Sequence, residues 1–398
     1  MKLKKFFAGV LAAAMMLTVG ATAAFATEGN NQSDNVTNSF PGATIGATSD
    51  LVLTKTYKVE KGKAPFEEFE FDVTYVGAVK KDTNVASEPT SLHLEKKAEF
   101  TKSGLNLGEG VTGLVANTYT NTFKINMNEL QIPTGGTGIY VYKITEKNNE
   151  TPAVSYNTDG SCLYLIVTVS HVTGENNVIQ DGQYNYAVAL RRASAGATVV
   201  QALTGTKVSA GDAFHNTYGA GNAVNGVELK KTVHGNFGDL GKEFTFNVAF
   251  TKSADKNYGP ITVDNTAGYD IYKANENGEK GEKVAGTELE YGQTYIVTLK
   301  HDTKITFNNL PANVTYTMTE NGKDATGKVD GLYVVKGEQP GGTVSAGAEV
   351  AKVNIENTNE GTIDTGVILD NAPYIALLAI VAIGGVALML NKRRRDEE

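Results

Sequence analysis

A lysine, a glutamate and an asparagine recur twice in the same order, each in phase with the apolar residues of a strand-like segment. The first set is Lys55 in LVLTKTY, Glu146 in YKITE and Asn216 in FHNTY. The second is Lys231 in VELKKTV, Glu320 in YTMTE and Asn357 in IENTN. Alternate residues of a strand share a face. Leu51, Leu53, Lys55 and Tyr57 therefore point one way, as do Val227, Leu229, Lys231 and Val233. Tyr142, Ile144 and Glu146 share a face, and so do Tyr316, Met318 and Glu320. Asn216 is in phase with Phe214 and Tyr218, and Asn357 with Val353 and Ile355. Burying an unpaired ammonium or carboxylate costs too much to be incidental. These groups are expected to meet inside two similar cores, which predicts a covalent product rather than an ion pair.

The two copies align beyond these residues. EFEFDV (Glu68–Val73) matches EFTFNV (Glu243–Val248), and FKINMNEL (Phe123–Leu130) resembles TKITFNNL (Thr303–Leu310). Lysine to glutamate spans 91 positions (146 − 55) in one copy and 89 (320 − 231) in the other. Glutamate to asparagine spans 70 (216 − 146) against 37 (357 − 320), so the first copy carries a longer loop or added strands between Thr145 and Phe214. Val, Ile, Thr, Tyr and Phe dominate alternating segments broken by Gly, Asn and Asp, which are strand and turn signals. The fold class read from this is all-β, two β-sandwiches in tandem. The expected boundaries are a polar leader at 27–50, a first domain at 51–218, a linker at 219–226 and a second domain at 227–361.

Both ends carry processing signals. Lys2, Lys4 and Lys5 precede an apolar run and Ala24-Phe25-Ala26, the pattern of a secretory signal peptide covering 1–26 and cut before Thr27. At the other end, an uncharged segment at 374–390 precedes Lys392-Arg393-Arg394-Arg395 and reads as a transmembrane helix with a cytoplasmic basic tail. Just before it stands Thr362-Ile363-Asp364-Thr365-Gly366. The region 362–398 resembles the cell-wall sorting signal of Gram-positive surface proteins, in which a sortase cuts an LPXTG-type pentapeptide at its threonine and passes it to an amine. Thr365 and Gly366 fit that pattern, while Thr362 and Ile363 replace the usual Leu and Pro. Ile132-Pro133-Thr134-Gly135 looks closer to the motif but lies inside the first repeat with no apolar segment after it, so it reads as a turn.

Charge narrows the function classes. Removing the three signal-peptide lysines takes the chain from −8 to −11, because the tail after Thr365 balances four basic against four acidic residues. An acidic surface without basic patches argues against nucleic acid. Cys162 is the one cysteine, so no internal disulfide can form, and its setting in SCLYLIVTVS reads as a core thiol. The five histidines are scattered without metal-ligand spacing, and no metal or cofactor is expected. No G-x-S-x-G, Walker or H-E-x-x-H motif is present, so an enzyme acting on an external substrate is not expected.

With these motifs in place, the chain resembles the major (backbone, or shaft) pilins of Gram-positive bacteria, above all the streptococcal group with internal isopeptide bonds. The resemblance implies immunoglobulin-like domains of the collagen-adhesin B type. It implies bonds Lys55–Asn216 and Lys231–Asn357, assisted by Glu146 and Glu320. It further implies a cell-surface, wall-anchored pilus made of identical subunits, with a pilus-specific sortase, minor tip and basal pilins and peptidoglycan as partners. In such shaft pilins a lysine shortly before the last strand of the first domain receives the preceding subunit's terminal threonine. Lys207, nine residues before Asn216, occupies that place and could equally be an ordinary loop lysine. The alternative function is a monomeric wall-anchored adhesin, or a basal pilin, with a β-sandwich stalk.

Overall fold

Alternation sets the strands. In β1 (Asp50–Ala64) Leu53, Lys55, Tyr57 and Val59 are buried, while the residues between them are more exposed. The computed structural model describes residues 50–79, 88–133, 136–156, 161–173, 175, 178–347, 349–362 and 372–395. The signal peptide, the leader up to residue 49, and Thr365 with Gly366 lie outside the described residues.

The first domain packs two sheets face to face. One runs β4 (Leu114–Asn126), β1, β10 (Phe214–Tyr218), β6 (Val154–Ser155). The other runs β3 (His93–Phe100), β2 (Glu67–Val79), β5 (Gly138–Glu146), β7 (Ser161–Thr173), β8 (Ile179–Ser194), β9 (Thr206–Lys207). In the second domain one sheet runs β16 (Glu288–Leu289), β13 (Ile261–Asp264), β18 (Thr303–Pro311), β11 (Val224–His234), β23 (Ala351–Thr358), β21 (Tyr333–Lys336), β20 (Lys328–Val329). Its partner runs β15 (Lys280–Lys283), β14 (Ile271–Ala274), β17 (Thr294–Leu299), β12 (Phe244–Thr251), β19 (Thr315–Glu320), β22 (Gln339–Thr343). The chain is therefore all-β, with tandem sandwiches. In each domain the first and last strands, β1 with β10 and β11 with β23, lie side by side and parallel. Parallel neighbours cannot be joined by a tight turn. Here the whole sandwich serves as the crossover.

The cores are aromatic. Tyr57, Phe69 and Phe100 meet edge to face at 5.0–5.5 Å, and Phe71 stacks on Phe123 at 4.2 Å. In the second domain Phe250 lies 5.1 Å from Phe307. Such pairs add to the burial of apolar area that drives folding.

The extra material of the first copy is mostly added strands. β7 and β8 form a long hairpin, and a five-residue helix, α1 (Val199–Leu203), caps the outer face of that sheet. Cys162 is buried there with Val141, Tyr164, Ile166 and Ala202, in a satellite cluster and not between the two sheets. Strand alternation alone could not say which face of β7 it occupied, because both faces of this strand are covered.

The second domain begins earlier than the spacing suggested. β11 starts at Val224, and Val224 packs into the core of the first domain. Gly62 and Gly219 adopt positive φ at this joint, and a side chain would collide with Asn309 at the first and the Lys61 carbonyl at the second.

α2 (Ala372–Arg395) covers the C-terminal apolar segment. Among the described residues, no helix is long and apolar enough to cross a membrane. The segment 374–390, read from the sequence as a membrane span, falls within α2.

Candidate functional site

Each domain brings its lysine, glutamate and asparagine together in the same way. Tyr57 pairs with Asn216 across β1 and β10, so Lys55 lies two residues earlier on the same face. Val233 pairs with Asn357 across β11 and β23, which gives Lys231 the same offset. The carboxylate comes from the opposite sheet. Glu146 ends β5 opposite Phe71, and Glu320 ends β19 opposite Phe246. Two strands of one sheet thus present amine and carboxamide side by side, and the facing sheet lowers a carboxyl between them.

The distances leave little freedom. Lys55 Nζ donates to the Glu146 oxygens at 2.8 and 2.9 Å, and Asn216 Nδ2 donates to Oε1 of the same carboxyl at 2.6 Å. In the second domain Lys231 Nζ donates to Glu320 Oε2 at 2.9 Å and Asn357 Nδ2 to Oε1 at 2.6 Å. Both lysines are 0 % exposed. Their ammonium ends sit 4.4 Å above the rings of Phe69 and Phe244. The side chain of Glu146 retains 8 % exposure and that of Glu320 none.

Burial sets the protonation. Desolvation pulls Lys55 down from 10.5 to about 8, against the opposing pull of Glu146, and it lowers Lys231 in the same direction. It pushes Glu146 and Glu320 up, against the lysines and asparagines that favour their charged forms. One proton shared between each pair is thereby brought towards the neutral arrangement, amine beside carboxylic acid. The carboxamide oxygens Asn216 Oδ1 and Asn357 Oδ1 are buried without a hydrogen-bond partner. Turning either carboxamide over brings its oxygen to the carboxyl, where a protonated glutamate can donate to it and polarise the amide carbon.

Lys207 is placed elsewhere. It is exposed at the end of β9, opposite Arg191 of β8 on the sheet edge. Ile132 and Pro133 lie between a 3-10 turn and β5, and Thr134 and Gly135 fall outside the described residues.

Sequence spacing missed two groupings. Asp72, His93 and Glu95 gather with their ligand atoms within 4.8 Å, because β2 and β3 are adjacent strands. The Lys147 ammonium already occupies that cluster, 3.4 Å from Asp72 and 3.2 Å from Glu95. The second is the joint between domains, where Asn309 is 3 % exposed. Asn309 donates to the Lys63 carbonyl at 2.7 Å and the Pro260 carbonyl at 2.8 Å. It accepts from Lys63 N–H at 3.1 Å and from the Tyr218 hydroxyl at 3.0 Å. In the aligned segment of the first copy the same position is Glu129, which caps a 3-10 turn. That departure was the available signal.

A protein named Pilin from Streptococcus pyogenes serotype M1 is 24% identical over 376 residues, covering 88% of this chain and 93% of the relative. The chain is similar to a streptococcal pilin along nearly its whole length. The resemblance read from the motifs is met again in this relative. The family described as Domain of unknown function (DUF7601) matches residues 225–359. Among solved structures, the major pilin of Streptococcus pyogenes aligns at 22% identity and a TM-score of 0.43, over 78% of this chain and 98% of that one. The major pilin T3.2 of the same species aligns at 18% identity and 0.40, over 79% and 99%. The assignment of tandem sandwiches rests on the strand pairing above.

Proposed function

We propose that this chain is a shaft subunit of a covalently polymerised cell-surface pilus. On this reading it is exported, joined through Thr365 by a sortase to an amine of the next subunit, and finally attached to the wall. Lys207 is the acceptor this reading favours. The similarity to a streptococcal pilin supports it, but the observation that carries it is the twice-built site tying first strand to last.

The chemistry follows from the groups present. Neutral Lys55 Nζ attacks the Asn216 Cγ carbon while protonated Glu146 polarises the amide oxygen. The amine loses a proton, Glu146 relays one to the departing nitrogen, and ammonia leaves as the Nζ–Cγ amide forms. Lys231, Glu320 and Asn357 repeat the step. Folding supplies the proximity. This is one turnover per domain, so the protein is a sortase substrate and not an enzyme in the usual sense.

The test is the intact mass of Thr27–Thr365 produced without any sortase. The expected mass is two ammonias below the sequence value, with Glu146→Ala and Glu320→Ala each restoring one. An unshifted mass would overturn the crosslink and favour the anchored adhesin or basal pilin.

A further inference from the structure

Glu320 closes β19 with both carboxyl oxygens engaged, Oε2 by Lys231 and Oε1 by Asn357. A carboxyl in that place is only as well aimed as the backbone that carries it. On one side that backbone is tied to β12, where Asn321 N–H donates to the Thr245 carbonyl at 2.8 Å. Successive amides of a strand point to opposite neighbours, so the Glu320 N–H faces β22. Pairing between β19 and β22 ends at Met318 opposite Gln339. The Glu320 N–H goes instead to the Glu338 side chain, whose Oε1 accepts it at 2.6 Å.

Glu338 is itself held. Lys323 Nζ donates to its two carboxyl oxygens at 2.7 and 2.6 Å. The chain that brings it comes from the asparagine side of the site. β21 runs beside β23, with Val335 opposite Asn357 and Lys336 opposite Glu356. It leaves that sheet at Gly337, which has a φ of 80° and lies so close to the Asn354 carbonyl that a Cβ would collide with it. One residue later Glu338 meets the facing sheet. A single short crossing therefore touches both the strand that carries Asn357 and the strand that carries Glu320.

We infer that Glu338 is a positioning residue for crosslinking in the second domain, setting where the Glu320 carboxyl stands between Lys231 and Asn357. The inference rests on the crosslink reading above and adds a residue outside the Lys–Glu–Asn set. Its bonds go to the Glu320 main chain and to Lys323, so it acts through Glu320. Reach is what this role requires, because misplacing a reacting group by 1 Å can cost about a hundredfold in rate. The charge of Glu338 bears less on the Glu320 proton than burial, Lys231 and Asn357 do. Reach and charge can be separated. Aspartate at 338 keeps the charge and withdraws the oxygen by one carbon, whereas glutamine keeps an acceptor oxygen at the same reach and drops the charge.

The experiment follows both crosslinks in the full chain, made by cell-free translation without any sortase and quenched in acid at intervals. Peptide mass after digestion reports the Lys231–Asn357 bond against the Lys55–Asn216 bond of the same molecule, which serves as the clock. Glu338→Asp is expected to slow the second-domain bond about tenfold, with the first-domain bond on time and the final extent unchanged. Glu338→Gln is expected to form the bond at the wild-type rate, and this rescue supports the positioning role. Equal rates in all three chains, or equal slowing in both variants, would overturn the inference and leave the crosslink standing. Failure of Glu338→Asp to reach the wild-type extent would mark Glu338 as a residue the fold needs, and would overturn it too. Absence of the Lys231–Asn357 bond from wild type would overturn the crosslink reading and this inference with it.

Discussion

Tyr218 and Asn309 belong to different domains and share a buried hydrogen bond, the tyrosine hydroxyl donating to Asn309 Oδ1 at 3.0 Å. Tyr218 ends the last strand of the first domain, two residues after Asn216. Asn309 makes four bonds, to Tyr218, to both backbone groups of Lys63 and to the Pro260 carbonyl. Asn309 makes the most bonds of any side chain at a joint that Lys63–Glu288, Lys256–Glu150 and Asn257 donating to the Phe66 carbonyl also hold.

Removing Asn309 has a defined cost. Asn309→Ala strips partners from buried polar groups, each worth about 1–3 kcal/mol when left unpaired. It also puts alanine at a φ of 62°, a left-handed backbone that asparagine tolerates better. The expected loss is about 3 kcal/mol in chemical denaturation, with a broader distribution of interdomain distances in small-angle scattering. An unchanged midpoint and unchanged scattering would show that the joint does not depend on Asn309.

The crosslink should erase a pH dependence that its absence reveals. In Asn216→Ala the amine of Lys55 stays free, with a folded value of about 8 against 10.5 when exposed. Between those values the unfolded chain binds more protons, so stability rises with pH, by up to about 3 kcal/mol. Glu146 is displaced the other way, above its ordinary 4.5. There the folded state binds more protons, so stability falls as pH climbs from 4.5 through the raised value. The first domain of Asn216→Ala is expected to show a stability trough around neutral pH. The bonded wild type, with Lys55 converted to an amide, should lack the alkaline rise. Melting curves across pH 4–11 check both arms.

Each bond closes a long loop, 161 positions (216 − 55) in the first domain and 126 (357 − 231) in the second. The chain-entropy treatment used for disulfides gives about 5 kcal/mol for either. Asn216→Ala and Asn357→Ala should each destabilise their own domain by about that amount. Calorimetry that resolves the domains reads this directly, and equal transitions in wild type and variants would argue that no bond forms.

The polar residues of the site were legible because strand alternation fixes phase, and a lysine in phase with Leu53 and Tyr57 has nowhere to go but inward. Their mutual approach was legible only through the repeat. One Lys, Glu and Asn at long separations carry no pairing information, whereas two sets in the same order and phase do. The helix Val199–Leu203 was not legible, since five residues do not complete a hydrophobic period. Nor was the joint. Asn309 acts through backbone carbonyls and amides of another domain, which sequence pattern does not register.

The two bonds should differ under load. If tension enters a subunit at Lys207 and leaves at Thr365, the covalent path runs along β10 into β11, crosses from Lys231 to Asn357, and exits. Lys55–Asn216 lies off that path, because Lys207 and Asn216 are already on the same side of it in the chain. Pulling wild-type protein between a handle at Lys207 and the C-terminal end should therefore extend neither domain. Asn357→Ala should release the 126 positions between the bonded strands, adding about 400 Å of contour length. Asn216→Ala should add almost none, although it destabilises the first domain to heat as much as its counterpart does the second. Single-molecule force spectroscopy separates the cases. A comparable extension from both variants would mean that force applied at Lys207 travels through the body of the first domain, and the proposed path would be wrong.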